Sequence, residues 1–239
     1  MQSIKNKTAL ITGGTKGIGY GIAEAMIAEG MNVMITGRTE GGVDEAVKKL
    51  NVNETDQIEG IVADVRDPDA MEKAVKATIE KWGQLDVLIA NAGVGHFASI
   101  MDMTHEQWNE TIDINLTGVF NSVKACLPSL KQTKGYVITI GSLAGINFFA
   151  SGTAYNASKF GLVGFSQAMM LDVRQEGINV STIMPGSVTS HFRGHTPNDQ
   201  DGWKIQPEDM GQIVIDLLQM NPRTLPSKIE VRPSKPPKG

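Results

Sequence analysis

What most constrains this chain is a rhythm: short apolar β-type runs alternate with amphipathic segments of helical length almost from end to end. The β-type runs are Thr8–Thr12, Asn32–Thr36, Ile58–Ala63, Asp86–Ala90, Tyr136–Ile140, Asn179–Ile183 and Lys228–Val231. Helical periodicity of apolar residues marks Gly17–Glu29, Pro68–Trp82, Glu106–Leu130, Ala154–Glu176 and Pro207–Leu218. Pro68 and Pro207 stand where a first helical turn begins, and the acids after them suit the positive end of a helix dipole. Strands kept apart by helices call for parallel β-α-β crossovers, right-handed and covered on both faces. The predicted fold is therefore α/β: a doubly wound sheet of about seven parallel strands with helices on both faces. No linker, repeat or compositional break interrupts the rhythm, so residues 1–239 are expected to form one domain. Residues 232–239, polar and rich in proline, are expected to form an extended tail.

Composition narrows the function. With 41% hydrophobic residues in 239, the chain can bury a sizeable core. A net charge of −4 and the lack of any long basic run argue against nucleic acid as a partner. Cys126 is the only cysteine, which rules out an intrachain disulfide and a thiolate metal cage. No apolar leader and no membrane-length apolar run are seen, so a cytoplasmic protein without a membrane partner is expected. His191 and His195 are four residues apart, but Phe-Arg-Gly between them is poor helix context and no third ligand is near. No metal is expected at them, nor at His96 or His105.

The first β-run leads directly into Gly13-Gly14-Thr15-Lys16-Gly17-Ile18-Gly19, and a helix follows. Strand, glycine-rich turn and helix in this order set a pyrophosphate on the unpaired N–H groups of a helix start, the Rossmann-type arrangement. Gly13 permits the tight turn, Gly17 lets backbone approach phosphate, and Gly19 allows helix and strand to pack closely. Taken alone, such a loop also fits a plain turn.

Further on, Asn91-Ala92-Gly93 follows the fourth run, Asn115 lies inside a long helix, and Ser142 follows the fifth run. Tyr155-Asn156-Ala157-Ser158-Lys159 and then Pro185-Gly186 complete the series. In this order and spacing, from about Lys5 to Val231, the chain resembles the short-chain dehydrogenase/reductase family in its short single-domain form. Within that family it resembles the 3-oxoacyl-acyl-carrier-protein reductases and related carbonyl reductases. The resemblance implies an oxidoreductase that moves a hydride between a nicotinamide and a carbonyl or secondary alcohol. Asn115, Ser142, Tyr155 and Lys159 would be its catalytic residues.

The chemistry suits those residue types. Reducing a carbonyl requires a proton donor at the nascent alkoxide, and a phenol with the ordinary pKa of ~10 exchanges its proton poorly at neutral pH. Lys159 lies one helical turn after Tyr155, and its ammonium is expected to lower the phenol's pKa. Ser142, at a strand end, can hold the substrate oxygen near that hydroxyl. Asn115, by resemblance, completes a water-linked proton relay to Lys159.

NAD-selecting Rossmann folds usually place an acid after the second strand; here that strand ends Ile35-Thr36-Gly37-Arg38-Thr39. Arg38 stands where a 2′-phosphate would sit, and by resemblance Lys16 is a second basic contact, so NADP(H) is expected over NAD(H). The resemblance adds Thr15 and Ile18 from the loop, Asp64 and Val65 at the adenine, and Asn91, Ala92 and Gly93 beneath the adenosine ribose. Ala90 stands where the family usually has another Asn. Pro185, Gly186 and Val188 would meet the nicotinamide carboxamide, with either Thr189 or Ser190 supplying a hydroxyl.

Residues 190–206 are expected to form a mobile substrate lid over a fairly open site, with Phe97, Phe148, Phe149 and Trp203 in loops nearby. The chain lacks the terminal Val-Asn-Gly-Gly segment of acyl-carrier-protein reductases, and Glu176 stands where they carry Arg. The substrate is thus left as a small carbonyl or alcohol. Two alternatives are an NAD-linked alcohol or sugar-alcohol dehydrogenase and a non-catalytic dinucleotide-binding scaffold. Finally, the resemblance implies a homodimer or homotetramer built on the helices at 106–130 and 154–176.

Overall fold

Side chains of β1 (Thr8–Ile11) alternate between two apolar clusters: Ala9 and Ile11 join one, Leu10 the other. A strand buried on both faces belongs inside a sheet covered twice, and the computed structural model, which describes residues 3–52 and 55–236, shows that arrangement. Seven parallel strands lie in the order β3-β2-β1-β4-β5-β6-β7. The others are β2 (Asn32–Gly37), β3 (Ile58–Val62), β4 (Val87–Ala90), β5 (Tyr136–Ile140), β6 (Asn179–Pro185) and β7 (Lys228–Val231). The expected Rossmann-type doubly wound sheet is what forms.

One face is covered by α1 (Gly17–Ala28), α2 (Glu40–Leu50) and α7 (Pro207–Gln219), whose Ile22, Met26, Ala46, Met210 and Val214 fill the first cluster. The other carries α3 (Pro68–Trp82), α5 (Gly118–Thr133) and α6 (Thr153–Val173), which contribute Met71, Val123, Leu130 and Leu162. The sequence pattern places the ends of α3 correctly because local chemistry defines both: the Asp67 carboxylate accepts from Asp69 N–H, Pro68 opens the helix, and Gly83 ends it at φ 80°.

Two expectations change. The β2–β3 connection holds α2, whose Gly41-Gly42 pair weakens its helical signal. The long helix expected over Glu106–Leu130 is interrupted: α4 (His105–Ile112) passes through a π turn, Asp113–Thr117, before α5 begins. The final residues of the expected tail, 237–239, lie outside the described residues, as do residues 1 and 2 of the expected domain.

The strand order reverses between β1 and β4. Connections leave these two strands toward opposite sides, which opens a crevice at their C-terminal ends.

Candidate active site

The crevice is a cleft of about 1090 Å³, the size class of sites that hold an extended ligand. The residues expected to bind cofactor or act in catalysis line it, except Gly19, which packs on Gly13 and Asn91; Asn115, which lies beside Gly93; and Thr189.

The glycine loop fits a pyrophosphate. Gly13 (φ 66°) and Gly17 (φ 59°) both adopt left-handed backbone that other residues enter only at a cost. A Cβ on Gly19 would collide with the Gly13 carbonyl and the Asn91 amide, so its role in close packing is seen directly. No side chain caps the start of α1 at Lys16, which leaves first-turn N–H groups for an anion. Thr12, which the sequence reading treated only as the end of a strand, anchors the loop. Its Oγ1 accepts from the backbone N–H groups of Asn91 (3.0 Å) and Ala92 (3.1 Å). Asn91 Nδ2 in turn donates to the carbonyls of Thr12 (2.9 Å) and Gly13 (3.0 Å). The Asn91 side chain therefore ties β4 to the glycine loop.

At the far end of the cleft, Arg38 leaves β2 with its side chain 58% exposed, 3.8 Å from Glu110 on α4. Glu110 also meets His96 Nε2 at 2.7 Å. Glu110 did not stand out in sequence, and His96 was weighed only as a metal ligand, since a polar helix residue and a loop histidine carry no spacing signal for this contact. Asp64 is engaged by Arg66 through Nε and Nη2, and that hydrogen bonding holds its carboxyl below the usual range. Val65 is buried against Gly118, and its carbonyl accepts from Asn121 (2.9 Å). Of the two hydroxyls left open after Pro185, only Ser190 lines the cleft; Thr189 is buried and donates to the Asp201 carbonyl.

Ser142 sits just past β5, where its Oγ accepts from Ala144 N–H at 3.1 Å and is hydrogen-bonded to Tyr155. Tyr155 and Lys159 share one face of α6, with Lys159 Nζ 5.8 Å from the Tyr155 ring centre. The expected lowering of the phenol pKa by Lys159 is not the direction found. Burial raises the Tyr155 pKa, and the group working against that rise is Ser142. Lys159 is itself buried, donates to the Ile140 carbonyl at 3.0 Å, and has its own pKa pushed down by burial to about 8. Asn115 lies in the π turn, where its amide contacts Val94 and Ser158. A Cβ on Gly93 would stand 3.3 Å from Asn115 Oδ1 and 3.9 Å from Lys159 Nζ, so bare backbone separates the two.

Residues 190–206 contain two short 3-10 turns, and buried Asp201 accepts from His195 (2.6 Å) and Lys204 (2.5 Å). The segment is thus pinned at its centre.

Known proteins share these features. The chain is 32% identical over 238 residues to an uncharacterized oxidoreductase of Staphylococcus saprophyticus, covering 98% of this chain and 100% of the relative. It is 34% identical over 199 residues to a 3-oxoacyl-acyl-carrier-protein reductase of Salmonella typhimurium, covering 83% of this chain and 80% of that one. Among solved structures, an alcohol dehydrogenase of Thermococcus sibiricus complexed with 5-hydroxy-NADP superposes with a TM-score of 0.90 at 25% identity, covering 98% of this chain and 100% of that one. The pattern of the short chain dehydrogenases itself matches residues 7–201, from the start of the first strand to Asp201 within the pinned loop. By sequence match, sheet order and shared fold, the chain belongs to the short-chain dehydrogenase family.

Proposed function

We propose that this oxidoreductase reduces a carbonyl to a secondary alcohol with NADP(H), working as one catalytic unit around the β1/β4 crevice. The observation that carries the reading is the meeting of Ser142, Tyr155 and Lys159 across the cleft from an uncapped, glycine-lined helix start. Gly13, Thr15, Lys16, Gly17 and Ile18 would hold the pyrophosphate, and Arg38 a 2′-phosphate, with Lys16 near enough in the loop to assist. Asp64, Val65, Asn91, Ala92 and Gly93 would bound the adenosine, and Pro185, Gly186, Val188 and Ser190 the nicotinamide end. The 5-hydroxy-NADP in the similar Thermococcus sibiricus alcohol dehydrogenase structure supports the cofactor.

When bound, the dinucleotide would supply the hydride, two electrons and one proton, for the carbonyl carbon. Ser142 Oγ orients the substrate oxygen by hydrogen bonding. Tyr155 Oη gives its proton to that oxygen; an alkoxide is far more basic than a phenolate, so a raised phenol pKa still leaves the transfer downhill. Ser142 and the Lys159 ammonium then steady the phenolate. Proton return would pass by Lys159 and the backbone at Asn115, because the Asn115 amide is already engaged. Exposed Phe120, Phe160 and Leu171 on α5 and α6 support a homodimer or homotetramer through these helices.

The test is an NADPH-oxidation screen across oxoacyl thioesters, diketones, quinones, aryl ketones and sugar ketones. Tyr155→Phe is expected to lower turnover of any substrate found by a factor of about 10² to 10⁴ while NADPH still binds. Undiminished turnover by that variant overturns the reading.

A further inference from the structure

Within Tyr155-Asn156-Ala157-Ser158-Lys159, Asn156 has no part in the proposed chemistry, yet its side chain is buried and makes three hydrogen bonds. Nδ2 donates to the carbonyls of Ala144 at 2.7 Å and Asn147 at 2.8 Å. Oδ1 accepts from the Phe149 N–H at 3.3 Å. All three partners lie in the segment that follows Ser142. One amide near the start of α6 therefore spans residues 144–149 and ties them to the helix.

Bare backbone makes the contact possible. A Cβ on Gly152 would collide with Asn156 Oδ1, and one on Gly145 would stand 2.8 Å from the Lys159 carbonyl. The 3-10 turn Leu143–Gly145 thus rests directly on α6, held by Asn156 and lying against the helix one turn later.

Inside the segment, local bonds carry the constraint back to the catalytic hydroxyl. Asn147 N–H donates to the Leu143 carbonyl at 2.9 Å, and Gly145 N–H to the Ser142 carbonyl at 2.9 Å. Ala144 N–H donates to Ser142 Oγ at 3.1 Å, and Ser142 is in turn hydrogen-bonded to Tyr155. Tyr155 and Asn156 are joined by one peptide bond, so the contacts close a ring. It runs from Tyr155 to Ser142, through the turn to Asn156, and back. Closure of this kind restricts Ser142 without any direct contact between it and Asn156.

We infer that Asn156 is a positioning residue: it clamps residues 144–149 onto α6 and so holds Ser142 Oγ where it and Tyr155 Oη can meet one substrate oxygen. This rests on the carbonyl reduction proposed above. A misplacement of about 1 Å at a reacting centre costs about 100-fold in rate, so a clamp on the turn matters as much as the hydroxyl it carries.

The experiment uses Asn156→Leu, similar in shape but without hydrogen bonds, and the smaller Asn156→Ser in parallel, so that a folding failure of the first does not decide the matter. Ser181→Ala is the control, since it cuts bonds to Tyr136 and the Pro226 carbonyl elsewhere in the core. Amide hydrogen exchange within 143–149 is expected to quicken at least about fivefold in the Asn156 variants and to stay within about twofold in the control. Unchanged exchange there in a folded Asn156 variant overturns the inference and leaves the proposed activity untouched.

The second readout is turnover of whichever carbonyl the NADPH-oxidation screen shows to be reduced fastest. The Asn156 variants are expected to lower kcat about 10- to 100-fold, with the NADPH dissociation constant within about twofold of wild type. Starting from Ser142→Ala, the same substitutions are expected to cost less than about threefold, because no hydroxyl remains to be positioned. Equal losses in the two backgrounds, or undiminished kcat, overturn the inference alone. If no carbonyl in the screen is reduced, the proposed activity and the inference fail together.

Discussion

Asn115 grips Val94 with both ends of its amide: Oδ1 accepts from the Val94 N–H at 2.8 Å and Nδ2 donates to the Val94 carbonyl at 2.8 Å. The same Nδ2 reaches Ser158 Oγ at 3.0 Å, and that hydroxyl donates to the Tyr155 carbonyl at 2.8 Å. The π turn thus joins the loop after β4 to the helix that presents Tyr155, through a side chain with no exposed surface.

Asn115→Ala leaves the Val94 N–H and carbonyl without their partner. Unmet buried polar groups cost about 1–3 kcal/mol each, and these two are part-buried, so a loss of about 2–4 kcal/mol, the lower part of the range for two such groups, is expected, read from the urea midpoint. A loss within about 0.5 kcal/mol would mean that the clamp is dispensable, since that is the scale of ordinary surface substitutions.

Arg38, proposed above to meet a 2′-phosphate, lines the cleft and lies 3.8 Å from Glu110. Arg38→Asp is expected to shift the NADPH-to-NADH efficiency ratio toward NADH by about 100-fold, the worth of one or two charge-assisted hydrogen bonds. Glu110→Gln removes a competing carboxylate and is expected to tighten NADPH about 2- to 5-fold while leaving NADH unchanged, in titrations of cofactor fluorescence. Equal effects on the two cofactors would take Glu110 out of this role.

The doubly wound parallel sheet and most helix limits could be read from the sequence because burial on both faces and local caps write themselves into composition, as in β1 and at Asp67, Pro68 and Gly83. The site was legible wherever a residue type and its spacing are tied to a backbone requirement, as at Gly13 and Gly17 or across the Tyr155–Lys159 helical turn. It was not legible where a role depends on partners distant in sequence. Thr12 meets Asn91 from 79 residues away, and Ser158 meets Asn115 from 43. Phe192 becomes a wall of the site only once Gly95 makes room for it. The direction of the Tyr155 pKa also depends on depth, which spacing cannot express.

Asp201 should govern how tightly residues 190–206 close. Hydrogen bonds from Lys204 and then His195 hold its pKa below the ordinary value of 3.8. A depressed carboxylate pKa contributes stability above the unfolded value and loses it as pH falls through the folded one. The loop is therefore expected to stay pinned at neutral and mildly acidic pH. Asp201→Asn should loosen it at neutral pH, seen as faster limited proteolysis within 190–206 and a raised substrate KM, while the urea midpoint changes little. Unchanged cleavage would show that the two short 3-10 turns hold the loop without this network.

Lys159 makes stability depend on pH in a direction opposite to that of a surface lysine. Burial lowers its pKa from 10.5 to about 8, so the folded state favours the neutral amine. Between those values the unfolded chain binds more protons, and stability must rise with pH. A difference of this size corresponds to at most about 3 kcal/mol gained between pH 8 and pH 10.5. Tyr136 and Tyr155, whose pKa values burial raises, act in the opposite sense near the top of that range. The clean quantity is therefore the wild-type stability minus that of Lys159→Met, from urea unfolding at neutral pH and again at the alkaline end. Loss of the bond to the Ile140 carbonyl shifts the variant by a constant amount and leaves the slope alone. The difference is expected to grow in favour of wild type as pH rises. A flat difference would mean that Lys159 keeps its ordinary pKa in the fold, and that its ammonium stands charged beside Tyr155 throughout the working range.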